Sequence, residues 1–231
     1  MRLSLRLDEN GPGFLVPSRL VLLATLAAGA LAYAGAETGA TMLAIDKMTP
    51  GSAPDGFTFA RTGQGGPAQW TVTADPTAAS GRAIEQVSSD RTDYRFPLAI
   101  YDGVSAANVN VTLMFRAVDG RIDQAAGIAV RLQDPDNYYV ARANALEDNV
   151  RFYRVVKGRR QQLDGADLKV TSGQWHTLGL RADGDRFTVT YNGRALFTTT
   201  DKTFTAAGKV ALWTKADSIT RFDQIEVTPL P

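Results

Sequence analysis

Among the arginines in the second half of the chain, Arg116, Arg131, Arg142 and Arg154 fall within or beside alternating segments. Tyr139, Tyr153 and Trp213 fall in the same or neighbouring segments. A guanidinium is a rigid, planar fork of donors. Ligand sites commonly join an aromatic platform to a few such directional groups. These seven residues, with Lys215 of T-K-A-D-S at their rim, are therefore the candidate ligand-binding cluster. The competing reading is plainer: arginines on a solvated sheet face, aromatics packed as ordinary core, and Lys215 and Asp217 as an exposed ion pair worth little.

Other chemistries find less support. Glycoside cleavage needs two carboxylates about 5–5.5 Å apart for retention, or about 6.5–9.5 Å for inversion. Strand residues i and i+2 would provide the shorter spacing. Beyond the leader the glutamates are Glu37, Glu85, Glu147 and Glu226, and Asp102, Asp119, Asp134, Asp136, Asp164, Asp183 and Asp201 sit in turn sequences. No evident strand carries a same-face pair. Glu147-Asp148 is the best acidic pair, and it reads as a solvated turn, so the catalytic residues are left unassigned. His176 is the sole histidine and no G-x-S-x-G elbow accompanies it, which points to a structural role. Cysteine is absent, so disulfides, thiolate metal sites and a cysteine nucleophile are excluded. Asp134 and Asp136 of D-P-D-N are weak candidates for calcium, a cation that takes six to eight oxygens, but the same tetrapeptide is a good turn. No other cofactor is indicated.

The elements that must position these residues are strands. Residues 173–201 read as a three-strand meander: His176, Leu178 and Leu180 share one parity, as do Phe187, Val189 and Tyr191, and Asp183-Gly184 and Asn192-Gly193 supply the turns. Val109 to Ala117 alternates most cleanly. Ile128, Val130 and Leu132 form a second core face. For Tyr138 to Ala143 two parities stay open: Tyr138, Val140 and Arg142 inward, or Tyr139, Ala141 and Ala143 inward. Strands follow over Val150 to Val156 and Arg160 to Leu163, with Asp164-Gly165 as a turn. Earlier, Gln69 to Thr73 and Ala83 to Val87 are strands and Arg91 to Arg95 a polar loop. Pro97 to Ile100 is a short edge strand closed by Asp102-Gly103, because proline is tolerated at an edge. Val210 to Lys215 and Phe222 to Val227 close the domain, with a bulge where parity breaks between Phe222 and Ile225. No capped helical pattern follows residue 40. The expectation is an all-β, two-sheet antiparallel jelly-roll sandwich.

A formal net charge of +1 over 231 residues argues against nucleic acid or an anionic membrane as the main partner. The apolar run of residues 20–32 follows Arg19 and precedes A-Y-A and A-G-A, which fit small-x-small cleavage; it is too short to span a bilayer and suits an export signal. The expected organisation is a signal peptide over 1–36, with retention as an anchor as the alternative, an irregular extension over 37–68 and the sandwich over 69–231. The mature chain would then be periplasmic or extracellular, with no membrane contact beyond the N-terminal segment.

G-I-A-V-R-L (127–132), D-P-D-N-Y-Y-V-A-R (134–142), V-R-F-Y-R-V-V-K-G (150–158), W-H-T-L (175–178), G-K-V-A-L-W-T-K-A-D-S (208–218) and F-D-Q-I-E-V (222–227) occur in an order that resembles the concanavalin A-like, laminin G-like jelly rolls. The chain is most similar to exported bacterial 3-keto-disaccharide hydrolase-like domains, relatives of the exo-inulinase sandwich domain. The resemblance covers residues 108 to 228 and implies a fold more sharply than an activity. It implies carbohydrate bound on the concave face, with glycoside or 3-keto-glycoside hydrolysis as the alternative and an envelope protein partner as a second alternative.

Overall fold

The computed structural model describes residues 39–231, so the expected export segment lies outside the described residues. The strands are β1 Thr41–Met42, β2 Phe57–Gly63, β3 Trp70–Ala74, β4 Arg82–Gln86, β5 Arg95–Ala106, β6 Val109–Asp119, β7 Ala125–Asp134 and β8 Asn137–Asn144, then β9 Asn149–Val156, β10 Arg159–Asp167, β11 Trp175–Asp183, β12 Arg186–Tyr191, β13 Arg194–Thr200, β14 Gly208–Trp213 and β15 Ile219–Pro229. A single 3-10 turn, Ile45–Lys47, is the only helical element among the described residues. No helix among them is long and apolar enough to cross a membrane.

Every strand pairing is antiparallel. One sheet runs β13-β12-β11-β6-β15-β4-β3 with β1 added to β15, and the other runs β10-β9-β8-β7-β14-β5-β2. This is the expected sandwich. Asn192-Gly193 makes the β12–β13 turn with both residues at positive φ, 47° and 77°, as type I′ requires. The β11–β12 turn sits one residue later than expected. Asp183 pairs with Arg186, and only Gly184 has positive φ (58°), the type II′ pattern.

The alternating residues Val111, Leu113 and Phe115 of β6, Leu178 and Leu180 of β11, and Phe187 and Val189 of β12 meet Ile128, Val130, Tyr139, Ala141 and Phe152 between the sheets. A second core covers the opposite face of the seven-stranded sheet: Phe96, Leu98, Ala129, Tyr138, Val140, Val155, Ala211 and Trp213. This resolves the ambiguous parity of β8. Tyr139, Ala141 and Ala143 enter the first core while Tyr138 and Val140 enter the second, so both readings of the strand looked apolar because both faces are buried.

The second core exists because the sheet curls until its ends meet. Tyr94, just before β5, donates from its hydroxyl to the Gly158 carbonyl (3.0 Å) and accepts from the Arg160 N–H (3.1 Å) at the start of β10. On β2, Thr62 donates to the Pro135 carbonyl (2.5 Å) and lies 2.8 Å from the Tyr138 hydroxyl. Rings lie flat across small residues: a Cβ on Gly127 would meet Trp213 at 3.1 Å.

Four expectations need correction. Pro97 lies inside the twelve-residue β5, between β14 and β2, not on an edge strand. It is tolerated because β14 ends at Trp213, and beside Pro97 the chain offers only the Thr214 N–H, which donates to the Pro97 carbonyl (3.1 Å). Asp102-Gly103 lies within β5 and Asp164-Gly165 within β10, where the ladder to β9 skips Leu163 and Gly165 pairs with Arg151. Residues 39–68 supply β1 and the edge strand β2, and Leu43, Ile45 and Met48 belong to the first core, so no boundary falls at 68/69. The bulge in β15 is present, between Asp223 and Glu226, with Gln224 at φ 47°.

Arg131 ends the regular part of β7, at φ 49° where the ladder to β8 is interrupted. Its guanidinium turns inward over the Phe187 ring (5.1 Å) and donates to the carbonyls of Ala107 (2.6 Å), Phe204 (2.8 Å) and Gly184. Arg131→Met keeps the stem and leaves three inward carbonyls without this donor. The expected loss of stability is about 2–4 kcal/mol in urea denaturation; an unchanged midpoint would show that the clamp contributes nothing.

Candidate binding site

Three loops, β2–β3, β6–β7 and β14–β15, gather at the mouth of the curled sheet, and two buried residues hold them there. The Asp217 carboxylate accepts from the backbone N–H groups of Arg121 (2.9 Å), Ile122 (3.0 Å) and Asp123 (3.1 Å). Arg95, fully buried, donates to the carbonyls of Gly66 (3.0 Å), Pro67 (2.7 Å) and Ala216 (2.8 Å). Each spends its charge on backbone groups that the loops would otherwise leave unpaired. Asp217 is thus not the exposed partner of Lys215.

Within that frame stand three ion pairs. Arg142 donates to Glu147 Oε2 (2.7 Å), to Asn149 Oδ1 and to the Tyr153 hydroxyl (3.2 Å), with its guanidinium 5.8 Å from the Tyr153 ring. Asn149 Nδ2 also donates to Glu147 Oε2 (3.2 Å). Lys215 Nζ lies 2.8 Å from both Asp93 Oδ1 and Asp123 Oδ2. Asn144 ties the pairs together. Its Nδ2 donates to Asp123 Oδ1 (2.7 Å), and its Oδ1 accepts from the Leu146 (2.9 Å) and Glu147 (3.2 Å) backbones.

Exposure divides the labour. The side chains of Glu147 (43%) and Asp93 (73%) face solvent and Lys215 is partly open (14%), whereas Arg142 (5%) and Asp123 (1%) are enclosed. Burial pushes the Asp123 carboxyl up, and the hydrogen bond and charge of Lys215 oppose this only in part. Burial also acts on Glu147, but Arg142 and Asn149 outweigh it and hold that carboxyl below its usual range. Lys215 is raised by Asp123 and Asp93 against the opposing effect of burial. The mouth therefore presents an ionised acceptor beside a cationic donor, both fixed from behind.

Of the eight expected residues, Arg142, Tyr153, Trp213 and Lys215 come together here. Trp213 forms the floor and is fully buried, stacked on Phe96 (5.3 Å between rings) and donating from Nε1 to the Tyr138 hydroxyl (3.2 Å). The other four go elsewhere, so no single four-arginine cluster forms. Arg116 lies on the outer face of the eight-stranded sheet, donating to Thr77 Oγ1 (2.7 Å) beside Asp75. Arg131 is the inward clamp described above. Tyr139 sits in the first core and donates to Asp201 Oδ1 (2.5 Å). Arg154 faces the inter-sheet side at the sheet edge, donating to Asp201 Oδ2 (2.8 Å) and Thr203 Oγ1 (2.8 Å). Register explains the split: Val140 opposes Tyr153, whereas Tyr139 opposes Arg154, and opposed residues share a face.

Asp123, Asn144, Asn149 and Asp93 were not singled out in the sequence, because each lies in or next to a loop and carries no periodic signal. Glu147 was visible only as half of a turn pair. Asp134 Oδ1 accepts from the Asp136 backbone (2.7 Å) and Asn137 Nδ2 (2.9 Å), the pattern of a turn. No group of three or more His, Cys, Asp or Glu that could hold a metal occurs among the described residues. His176 packs on Phe115 and Tyr191, with Nε2 3.0 Å from the Thr171 carbonyl.

No family model matches the chain, and no curated protein matches it. Solved structures do. The carbohydrate-binding module CBM66 from Bacillus subtilis is 18% identical, with 74% of this chain and 94% of that chain covered and a TM-score of 0.59. A Bacillus licheniformis beta-glucanase is 11% identical (84% and 99% covered, TM-score 0.53). A Bacillus subtilis protein of unknown function with a galectin-like fold is 9% identical (74% and 88% covered, TM-score 0.53). At these identities the likeness is one of fold, and the fold is a concanavalin A-like jelly-roll sandwich.

One lip of the mouth titrates. Asp90 accepts from the Gly66 N–H (2.5 Å) and from the N–H (2.9 Å) and hydroxyl (2.8 Å) of Thr92. These bonds, the Gly66 one foremost, lower its carboxyl from 3.8 to about 2. A depressed carboxylate stabilises the fold above its unfolded value, and that stability is lost as pH falls through the folded one. The melting temperature should therefore drop between pH 3.8 and about 2, and Asp90→Asn should flatten that drop. Parallel curves for the two proteins would remove Asp90 from the account.

Proposed function

We propose that this chain is a carbohydrate-binding sandwich and that a saccharide docks at the mouth of the curled sheet, against Glu147, Lys215 and Asp93. One observation carries the reading. Glu147 is half exposed, yet its carboxylate is held ionised and oriented by Arg142 and Asn149, with a partly open ammonium in the same mouth. Sugar hydroxyls are both donors and acceptors, so a fixed carboxylate beside a fixed ammonium suits them, and preorganisation limits the entropy lost on binding. Arg142 positions Glu147 and does not itself meet the sugar. The fold shared with a carbohydrate-binding module and a beta-glucanase supports the reading as a likeness. The apolar run of residues 20–32 supports an exported, periplasmic or extracellular setting.

Hydrolysis is the second reading, favoured by one feature: Asp123 is pushed up while Glu147 is held down, the division expected of an acid and an ionised partner. Against it, Asp123 is enclosed and its oxygens face Asn144 and Lys215. Binding without cleavage is therefore the function assigned.

A glycan array probed with the chain tests this. Glu147→Gln keeps the shape and removes the charge, and should weaken the hit about tenfold or more, since a hydrogen bond to a charged group contributes about 1.5–3 kcal/mol. The Trp213 near-ultraviolet signal reports whether the variant stays folded. A hit indifferent to Glu147, or product release from the bound glycan, contradicts the assignment.

A further inference from the structure

Side chains of β10, the edge strand of the curled sheet, alternate between its two faces, and the ladder to β9 says which is which. Arg160 opposes Val155 and Gln162 opposes Tyr153, and opposed residues share a face. Val155 and Tyr153 belong to the second core, so Arg160 and Gln162 stand on the side of the sheet that bears the mouth. Gln161, opposite Arg154, faces the other way.

The Arg160 guanidinium is seated over aromatic rings, 4.4 Å from Tyr153, 5.0 Å from Phe96 and 5.9 Å from Trp213. Tyr94 fixes its backbone, accepting from the Arg160 N–H (3.1 Å). Arg95, Arg131 and Arg142, which are enclosed, spend their donors on carbonyls or a carboxylate. Arg160 does not. Its Nη1 is buried with no hydrogen-bond partner, and among the described residues Arg160 forms no ion pair. A seated fork without an internal acceptor points to an acceptor that arrives from outside. Gln162, two residues along on the same face, is exposed and brings an amide that both donates and accepts.

Arg142 and Arg160 lean on the same Tyr153 ring, and Arg142 holds Glu147 of the mouth. Their backbones are nevertheless far apart. Arg142 opposes Arg151 on β9, whereas Arg160 opposes Val155, so Arg160 lies two strands over and four positions along. At ordinary sheet spacings that is a Cα separation on the order of 15 Å. One sugar ring against Glu147 and Lys215 does not span that distance, and a second ring linked to it does. Resting on the saccharide reading above, we infer that Arg160 and Gln162 form a second subsite on β10, which makes the ligand an oligosaccharide of at least two residues. The first residue meets Glu147, Lys215 and Asp93. The second lies toward β10, where Arg160 donates to its oxygens and the Gln162 amide meets a further hydroxyl.

Calorimetry on the full chain tests this with neutral oligosaccharide series of glucose, galactose, mannose and xylose, each from one to four residues. In the series that binds, affinity should rise at least tenfold from one residue to two. Arg160→Met keeps the stem over the rings and should cost the two-residue sugar about tenfold, bringing it down to the level of the single residue. Gln162→Ala, at an exposed position, should cost it about threefold. Glu147→Gln should weaken every member of the series. The Trp213 near-ultraviolet signal reports whether each variant stays folded. If the single residue binds as tightly as its oligomers, or if Arg160→Met and Gln162→Ala leave the two-residue sugar unchanged, the second subsite is overturned while the mouth site stands. An Arg160→Met loss as large for the single residue as for the longer sugars also overturns it. If no member of any series binds and the glycan array is blank, both readings fall.

Discussion

The seven-stranded sheet must bury both of its faces, and most of the molecule follows from that requirement. One face packs on the eight-stranded sheet in the ordinary way of a sandwich. The other has no partner sheet and covers itself by curling, so that Phe96, Tyr138, Val140 and Trp213 close into a second core. Hydrophobic burial of this kind contributes about 25 cal/mol per Å² removed from water, and the curl adds such area without adding chain. It also dictates composition. Gly127 has no room for a side chain, since a Cβ there would meet the Trp213 ring at 3.1 Å.

A floor filled in this way cannot also be an open platform. The proposed binding mode therefore puts recognition at the rim, where loops rather than strands supply the groups. Loops need fixing, and with no cysteine in the chain it is done with charge. Arg95, Arg131 and Asp217 are enclosed and hydrogen-bonded mainly to backbone. Enclosing a charge costs several kcal/mol, and only dense hydrogen bonding offsets it. Arg142 follows the same logic one layer further out, enclosed so that Glu147 can be exposed and still ordered.

Strand existence was legible because alternation reports burial of one face. Val109 to Ala117, the β11–β13 meander and the β15 bulge appear where periodicity and turn residues place them. Where both faces are buried, alternation vanishes, and β8 lost its parity for that reason. Pro97, Asp102-Gly103 and Asp164-Gly165 misled because turn-forming residues also serve inside long strands, where a neighbour ends or a ladder slips. The site was half legible. Arg142, Tyr153, Trp213 and Lys215 announced themselves by type, but their partners Asp123, Asn144 and Asn149 are distant or loop-bound, and only tertiary register unites them. Arg116, Arg131 and Arg154 look identical to Arg142 in sequence; register sends them to three other places.

The central claim is that the aromatic floor is structural and the rim recognises the ligand. The most direct test is a nuclear magnetic resonance titration with the best array glycan, following the Trp213 indole N–H together with the Asn149 side-chain amide and the Lys215 ammonium. The account predicts an indole proton that exchanges slowly, since Trp213 is fully buried and bonded to Tyr138, and that barely shifts while the Asn149 and Lys215 signals move. A fast-exchanging indole that shifts most on titration would mean that the sheet opens and the sugar stacks on Trp213, which would contradict the account.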